Sequence, residues 1–170
     1  NHGECRSCEW IELPYAEQLA KKEALLRKSL SLSPSFVVEK SVGSAEQGFR
    51  NRAKMVVTGT TDLPFIGLIG SELLHCPIHH PRLNEVISAL PAFIREYNLI
   101  PYSIETRKGE LKGLILFYSS KTDQMYLRFV LRSKECVSRI RKLLPKLQKQ
   151  FPFLVCVTAN IQPIPHAILE

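Results

Sequence analysis

The sequence predicts an α+β fold in which helices pack on one side of a largely antiparallel sheet. Apolar runs with the two-residue alternation of strands, bounded by turn residues, recur along the chain. Segments with helical spacing of apolar residues separate them, and the second half of the chain has the order strand, strand, helix, strand. At 170 residues the chain is long enough to bury one hydrophobic core and to carry a small appended segment.

The N-terminal region is predicted to form a helix from Pro14 to about Leu30. Proline is accommodated in the first turn of a helix, and the acidic start and basic end of this segment suit the helix dipole. Leu19, Leu26 and Leu30 share one stripe, so we expect the helix to dock on the body of the fold. A short strand is predicted to follow at residues 36–38.

Residues 48–58 are predicted to form a strand with one cationic face and one apolar face. Strand periodicity places Arg50, Arg52 and Lys54 on one side and apolar residues on the other. These cations would be spaced at roughly 6–7 Å, close to the phosphate repeat of a single nucleic-acid strand. A solvated strand face has the same charge pattern, so both interpretations stay open at this point. Residues 65–69 are predicted to form a second strand, antiparallel to the first.

Further helices and strands are predicted through the rest of the chain. They are a helix over 82–97 with a kink at Pro91, a hairpin of strands 111–118 and 124–132, a helix from an N-cap at Ser133 to about Gln150, and a final strand over 153–159. Apolar residues at odd positions of the second hairpin strand should face the core. The outward positions of that strand form a second basic and aromatic face, and they are Tyr126, Arg128, Val130 and Arg132.

The charge balance favours a polyanionic partner. The net charge is +7 and the isoelectric point is about 9.3, and phosphate neutralisation supplies most non-specific affinity for nucleic acids. Nucleic acid ranks first among such partners and an anionic membrane surface second, and we expect no membrane partner. The sequence predicts a soluble protein, because no apolar run is long enough to cross a bilayer. A glycine-rich phosphate loop, a nucleophile elbow and a His-Glu-x-x-His motif are absent from the sequence. Glu105 and Glu110 are expected to be solvated surface carboxylates.

Three of the five cysteines form a candidate metal site. Cys5 and Cys8 are separated by two residues, a spacing that brings two thiolates together on a tight turn, and Cys76 would be a third ligand. Such a site would tie the N-terminal arm to the body of the fold. A redox pair is disfavoured because no βαβ pattern surrounds the motif, and a disulfide set is disfavoured by the odd number of cysteines. Cys136 and Cys156 are predicted to be buried core residues.

Three histidines surround Cys76 in the sequence, at positions 75, 79 and 80. One of them could complete a zinc site with three cysteine ligands. The flanking Pro77 and Pro81 restrict the backbone, so we expect the histidines to be loop or helix-entry residues instead.

Several segments, in order along nearly the whole chain, resemble one known family. They are 5–10 (CRSCEW), 46–57 (EQGFRNRAKMVV), 76–77 (CP), 107–112 (RKGELK), 127–132 (LRFVLR), 160–163 (NIQP) and 166–168 (HAI). They resemble the bacterial RNA 5-methyluridine methyltransferases, in the iron–sulfur branch that lacks an N-terminal TRAM domain and acts on 23S rRNA. The resemblance implies that the full-length protein is a cytoplasmic uracil-5-methyltransferase that uses S-adenosylmethionine.

The resemblance also implies a division of the chain. Residues 1–35 would form an iron–sulfur arm and helix, 36–160 a central RNA-contacting domain, and 161–170 the start of a linker to a C-terminal methyltransferase domain outside this chain. Cys5, Cys8 and Cys76 match three ligands of a 4Fe–4S cluster, and the fourth ligand would precede Asn1. Neither of the remaining cysteines matches the family's nucleophile. Because the fourth cluster ligand and the catalytic domain would lie outside this chain, no methyl transfer is expected from it alone.

In that family the implied reaction is attack of a cysteine thiolate on C6 of a flipped-out uridine, methyl transfer to C5 and removal of the C5 proton. The part present here would hold the RNA. Phosphate contacts are expected from Arg50, Arg52, Lys54, Arg128 and Arg132, with Phe49 and Tyr126 as stacking candidates. The alternatives are a free-standing RNA-binding module stapled by zinc or a cluster, and a basic interaction domain whose cysteines bind no metal.

Overall fold

The computed structural model describes Cys5 and residues 7–33 and 35–165. Its helices are α1 (Tyr15–Ser29), α2 (Pro81–Glu96) and α3 (Val137–Gln150). Its strands are β1 (Arg52–Gly59), β2 (Pro64–Leu68), β3 (Ser71–Glu72), β4 (Leu111–Ser119), β5 (Gln124–Leu131) and β6 (Leu154–Ile161). They form one six-stranded sheet with the order β3-β2-β1-β4-β5-β6. Every neighbouring pair is antiparallel except β5 and β6, which are parallel and joined through α3. The predicted α+β fold with a largely antiparallel sheet is confirmed.

The hydrophobic core lies between one face of the sheet and helices α2 and α3. Alternate residues of the central strands face it, including Met55, Leu116 and Phe129. Ile87 of α2 and Leu143 of α3 are fully buried against them. Burying such apolar side chains supplies the main driving force for folding. Two of the three helices therefore cover a single face of the sheet.

The opposite face of the sheet, here called the open face, carries the other set of alternate residues. Strand register aligns them in two rows that cross the sheet. The first row is Arg52, Phe117, Tyr126 and Cys156, and the second row is Lys54, Ile115, Arg128 and Thr158. Val130 also lies on this face, but it is only 1% exposed, so the prediction that it faces solvent is wrong. Alternation assigns a residue to a face and does not specify what covers that face.

The N-terminal helix differs from its prediction. Helix α1 has no buried residue, and Leu26 and Leu30 on its predicted docking stripe are 47% and 60% exposed. Polar contacts hold it instead, because the backbone N–H of Ser44 donates to the Tyr15 hydroxyl at 2.7 Å and that of Ser41 donates to Glu23 at 3.1 Å. Residues 36–38, predicted to be a strand, lie outside any strand.

Helix α3 begins later than predicted. Ser133 is not its N-cap, because its hydroxyl accepts from the N–H of Glu135 in a turn that precedes the helix, and Cys136 occupies the cap position. Cys136 is fully buried, as predicted. Cys156 is exposed, so the prediction of a core position is wrong for that residue. The apolar run around Cys156 forms β6, which lies at the edge of the sheet. Cys156 lies on the open face of this strand, next to Tyr126 in the register.

The turn that leads into β4 is fixed by a glycine. Gly109 has φ +89°, and a Cβ atom there would lie 2.0 Å from the carbonyl oxygen of Pro101. The two chain segments lie this close because the N–H of Tyr102 donates to the carbonyl of Leu111 at 2.8 Å. Only glycine satisfies both the positive φ and the close approach.

The residue after that glycine is a buried carboxylate. Glu110 is 3% exposed, and its carboxylate accepts hydrogen bonds from Arg132 at 2.6 and 2.9 Å and from the hydroxyl and N–H of Ser133 at 2.6 and 3.0 Å. The prediction of a solvated surface position is therefore wrong for Glu110, while Glu105 is exposed as expected. Burial alone would raise the pKa of Glu110, but the hydrogen bonds from Ser133 and Arg132 outweigh it and hold the pKa below its ordinary value.

Substituting Glu110 with glutamine is expected to lower stability at neutral pH by about 2 kcal/mol, because it removes charge-assisted hydrogen bonds at a buried position. Since the folded-state pKa of Glu110 is depressed, its contribution is full above the ordinary carboxylate pKa and is lost as the pH falls through the folded-state value. Urea unfolding at pH 7 and at pH 3 measures this, and Glu105→Gln is the control. A stability difference between wild type and Glu110→Gln that is as large at pH 3 as at pH 7 would contradict the role assigned to the charge.

The chain that leaves β6 is held against the sheet. Lys112, only 3% exposed, donates from Nζ to the carbonyl oxygens of Gln162 at 3.1 Å and Ile164 at 2.6 Å. Burial lowers the pKa of Lys112. Residues 166–170, which include the 166–168 segment of the family resemblance, lie outside the described residues. No helix among the residues that the structure describes is long and apolar enough to cross a membrane.

Candidate functional site

The open face presents four of the seven residues that the sequence predicted for RNA contact, namely Arg52, Lys54, Tyr126 and Arg128. Arg52 and Lys54 are exposed on β1, two residues apart. Phe117 lies next to Arg52 in the strand register and is 44% exposed. Sequence reasoning missed Phe117, because β4 has a continuous apolar run and only the pairing with β1 shows which of its residues face outward. The face combines positive charge with an aromatic surface, as single-stranded RNA binding requires.

A hydrogen-bonded group on the same face fixes a tyrosine and an arginine. The Tyr126 hydroxyl lies 2.6 Å from the Thr158 hydroxyl, and Arg128 Nε donates to both of these oxygens, at 3.2 Å to Thr158. The Arg128 guanidinium also lies over the Tyr126 ring, 5.2 Å from its centroid. Thr158 could not be found from the sequence, because it joins this group only through the parallel pairing of β5 and β6.

Arg132 and Arg50 differ from the other predicted RNA-contacting cations in their surroundings. Arg132 forms an ion pair with Glu110 at 2.6 Å and donates to the carbonyl of Arg107 at 3.0 Å, and its side chain is 40% exposed. Arg50 precedes β1, where its N–H donates to Ile78 at 2.8 Å. That pairing carries Arg50 away from the strand and towards the cysteines, so the predicted row of three cations has two members within β1.

The three predicted metal ligands line a single cavity. Its volume is about 200 Å³, and Cys5, Cys8, Cys76 and His75 are among its lining residues. Burial raises the pKa of Cys8, the neighbouring thiols of Cys76 and Cys5 raise it further, and Arg50 opposes them. Three thiols facing one space suit a soft metal ion or an iron–sulfur cluster. Within the described part of the chain, however, no three His, Cys, Asp or Glu side chains are arranged so that they could hold a metal ion.

The other two histidines have structural positions. His80 is the N-cap of α2, and its Nδ1 accepts from the N–H of Arg82 at 3.2 Å, so it is a helix-entry residue as predicted. His79 is 5% exposed, and burial, together with the charge of Arg50, lowers its pKa.

Cys136 is not a reactive thiol. Burial raises the pKa of its thiol to about 11, so the group remains protonated at neutral pH.

Comparison with known proteins identifies relatives of this chain. No family model matches the sequence. The chain is 42% identical over 173 residues to a 23S rRNA (uracil(747)-C(5))-methyltransferase RlmC from Enterobacter sp. (strain 638). It is 43% identical over 176 residues to the RlmC of Escherichia coli O139:H28. Each alignment covers 99% of this chain and 46% of the relative, so the chain spans about half the length of the relatives that it matches.

A solved structure has the same fold. The crystal structure of the Pyrococcus abyssi tRNA (uracil-54, C5)-methyltransferase, in complex with S-adenosyl-L-homocysteine, matches with a TM-score of 0.68 at 22% identity. The match covers 98% of this chain and 38% of that enzyme.

Over nearly its whole length the chain is therefore similar to about half of the length of the RlmC enzymes, which are 23S rRNA uracil-C5 methyltransferases. It shares its fold with part of the Pyrococcus abyssi tRNA (uracil-54, C5)-methyltransferase.

Proposed function

We propose that this chain is the RNA-binding part of a cytoplasmic 23S rRNA uracil-C5 methyltransferase. The observation that carries the proposal is the 42–43% identity to RlmC enzymes over 99% of the chain. The basic open face supports it independently. The methyl group would come from S-adenosylmethionine, held by a methyltransferase domain outside this chain, and no residue described here is assigned to the chemical step.

The open face would hold the RNA near its target uridine. Arg52 and Lys54 would neutralise phosphates, since they project from one strand at two-residue spacing. Arg128 and Tyr126 fix each other in position, so they would meet the RNA with little loss of side-chain entropy. Of the remaining predicted contacts, Arg132 would act at the end of β5, and Phe49 and Arg50 would act near the cysteine cavity.

The cysteine cavity would hold a 4Fe–4S cluster. Cys5, Cys8 and Cys76 would supply three thiolate ligands, and the fourth would come from a residue outside the chain. The cluster would have a structural role here, because it would join the N-terminal arm to the loop that precedes α2.

A second candidate function is an RNA-binding module stapled by zinc. It is favoured by His75, which lines the cavity together with the three cysteines and would complete a tetrahedral set within this chain. Metal analysis distinguishes the two, because a 4Fe–4S cluster contains sulfide and absorbs visible light whereas a zinc site does neither.

The RNA-binding role is tested by neutralising the open face. The double variant Arg52→Gln, Lys54→Gln is expected to bind a 23S rRNA fragment about tenfold more weakly at moderate salt, because two phosphate contacts are lost. The slope of log affinity against log salt concentration should fall by about 1.5. A fluorescence polarisation titration at several salt concentrations measures both.

A matched control has the same charge change on the opposite side of the sheet. Arg141 and Lys142 are exposed on α3, which packs on the core face. The double variant Arg141→Gln, Lys142→Gln should bind within about twofold of wild type if the open face is the RNA surface. Equal losses in the two variants would show that net charge, and not the open face, governs binding, and would contradict the assignment.

A further inference from the structure

A cleft between the N-terminal arm and the body of the fold is lined by none of the residues in the two rows of the open face. It has a volume of about 320 Å³ and is adjacent to the cysteine cavity. Trp10 lines it from the arm and Phe49 from the segment that leads into β1, while Gln18 and Lys22 line it from α1. Trp10 is partly buried and Phe49 is 53% exposed.

We propose that this cleft is a nucleobase-binding site that accepts one unpaired base of the RNA. The inference rests on the proposed RNA-binding function and adds to it a second point of contact, away from the open face. Two aromatic side chains line a space whose size is in the range of small-ligand sites. Stacking of a base on such side chains contributes about 1–3 kcal/mol.

The polar groups of the cleft favour a base over a phosphate as the occupant. Glu9 and Glu46 line the cleft and would repel an anion, and among the residues that the structure describes Lys22 is the one cation that lines it. A neutral base avoids that repulsion, and the attached phosphate would lie towards Lys22 at the outside. Carboxylate and amide groups also offer the acceptors and donors that recognise base edges.

Helix α1 gives the cleft one wall, and this explains a feature of the fold. The helix buries no residue in the core, so core packing does not account for its position. Its side chain Gln18 donates from Nε2 to the carbonyl of Leu13 at 2.9 Å, which fixes the amide beside the cleft. Lys21 Nζ lies 5.9 Å from the centre of the Trp10 ring, so the helix also steadies that ring.

The test uses the intrinsic fluorescence of the cleft. Trp10 is the single tryptophan of the 170-residue chain, so all tryptophan emission comes from a residue that lines the cleft. Titration of the chain with a single-stranded RNA oligonucleotide rich in purines is expected to quench tryptophan emission by a third or more. Phe49→Ala should weaken binding of this oligonucleotide about tenfold, the loss of one stacking contact.

Phe36→Ala is the matched control, because Phe36 is 56% exposed, close to the value for Phe49, and does not line the cleft. Its affinity and quenching should equal those of wild type. Circular dichroism and thermal unfolding confirm that each variant is folded. The quenching experiment uses the wild-type chain, so its result does not depend on the folding of any variant.

The outcomes separate the two proposals. Salt-dependent RNA binding with unchanged tryptophan emission would overturn the cleft assignment and leave the open face as the RNA surface. Equal affinities for Phe49→Ala and Phe36→Ala would also overturn it. Failure of the wild-type chain to bind RNA at any salt concentration would overturn the proposed function and the cleft assignment together.

Discussion

Replacing Gly109 with alanine is expected to destabilise the fold by about 3 kcal/mol or more, from the positive φ and the steric overlap together. An alanine Cβ would lie 2.0 Å from the carbonyl oxygen of Pro101 and 2.7 Å from its carbonyl carbon. These atoms belong to backbone that pairs with the start of β4, so they cannot move without breaking hydrogen bonds. For a chain of this size the melting temperature should fall by roughly 10 °C, which differential scanning calorimetry measures.

Gly70→Ala separates the two causes of that destabilisation. Gly70 also has a positive φ, +80°, but no atom lies within 4 Å of the position its Cβ would take. Its substitution should therefore cost only the conformational part, about 1 kcal/mol. Equal losses at Gly70 and Gly109 would mean that the close approach to Pro101 has no energetic consequence.

The second large effect concerns the cysteine cavity. Cys76→Ser is expected to abolish binding of the proposed cluster in the longer methyltransferase proposed above, because serine oxygen is a poor substitute for thiolate towards iron. Anaerobic purification followed by iron and sulfide analysis and a visible absorption spectrum measures the loss. The N-terminal arm should then become sensitive to proteolysis, since the link between the arm and the loop before α2 is removed.

Cys156→Ser is the matched control for that experiment. Cys156 is exposed on the open face and belongs to a different part of the sheet from the cavity. Its variant should retain wild-type iron content. Full retention of iron in Cys76→Ser would exclude Cys76 as a ligand, and zinc in place of iron in the wild-type protein would favour the zinc-stapled module.

The sequence predicted those features of the fold that depend on local patterns. Alternation within 52–58 assigned Arg52 and Lys54 to one face and Met55 to the other, and the structure confirms both assignments. Strand alternation is reliable here because one face is buried and a shift of one residue would bury the cations.

Features that depend on distant partners were not predictable in the same way. The sequence predicts a surface position for Glu110 because its hydrogen-bond donors, Arg132 and Ser133, are more than twenty residues away in the sequence. It predicts a buried strand around Cys156 because hydropathy does not reveal that β6 lies at the sheet edge. The cleft at Trp10 was also missed, since it forms only where three separate segments meet.

The two edge strands of the sheet differ in length, and this difference determines where the chain can associate with other copies of itself. One edge is β3, which has only two residues and offers almost no backbone for another strand to pair with. The other is β6, with eight residues, and the described residues place no further strand beside it. An edge strand of that length is a template for addition of a strand from another molecule. Self-association through β-sheet extension is therefore possible along β6 and blocked along β3.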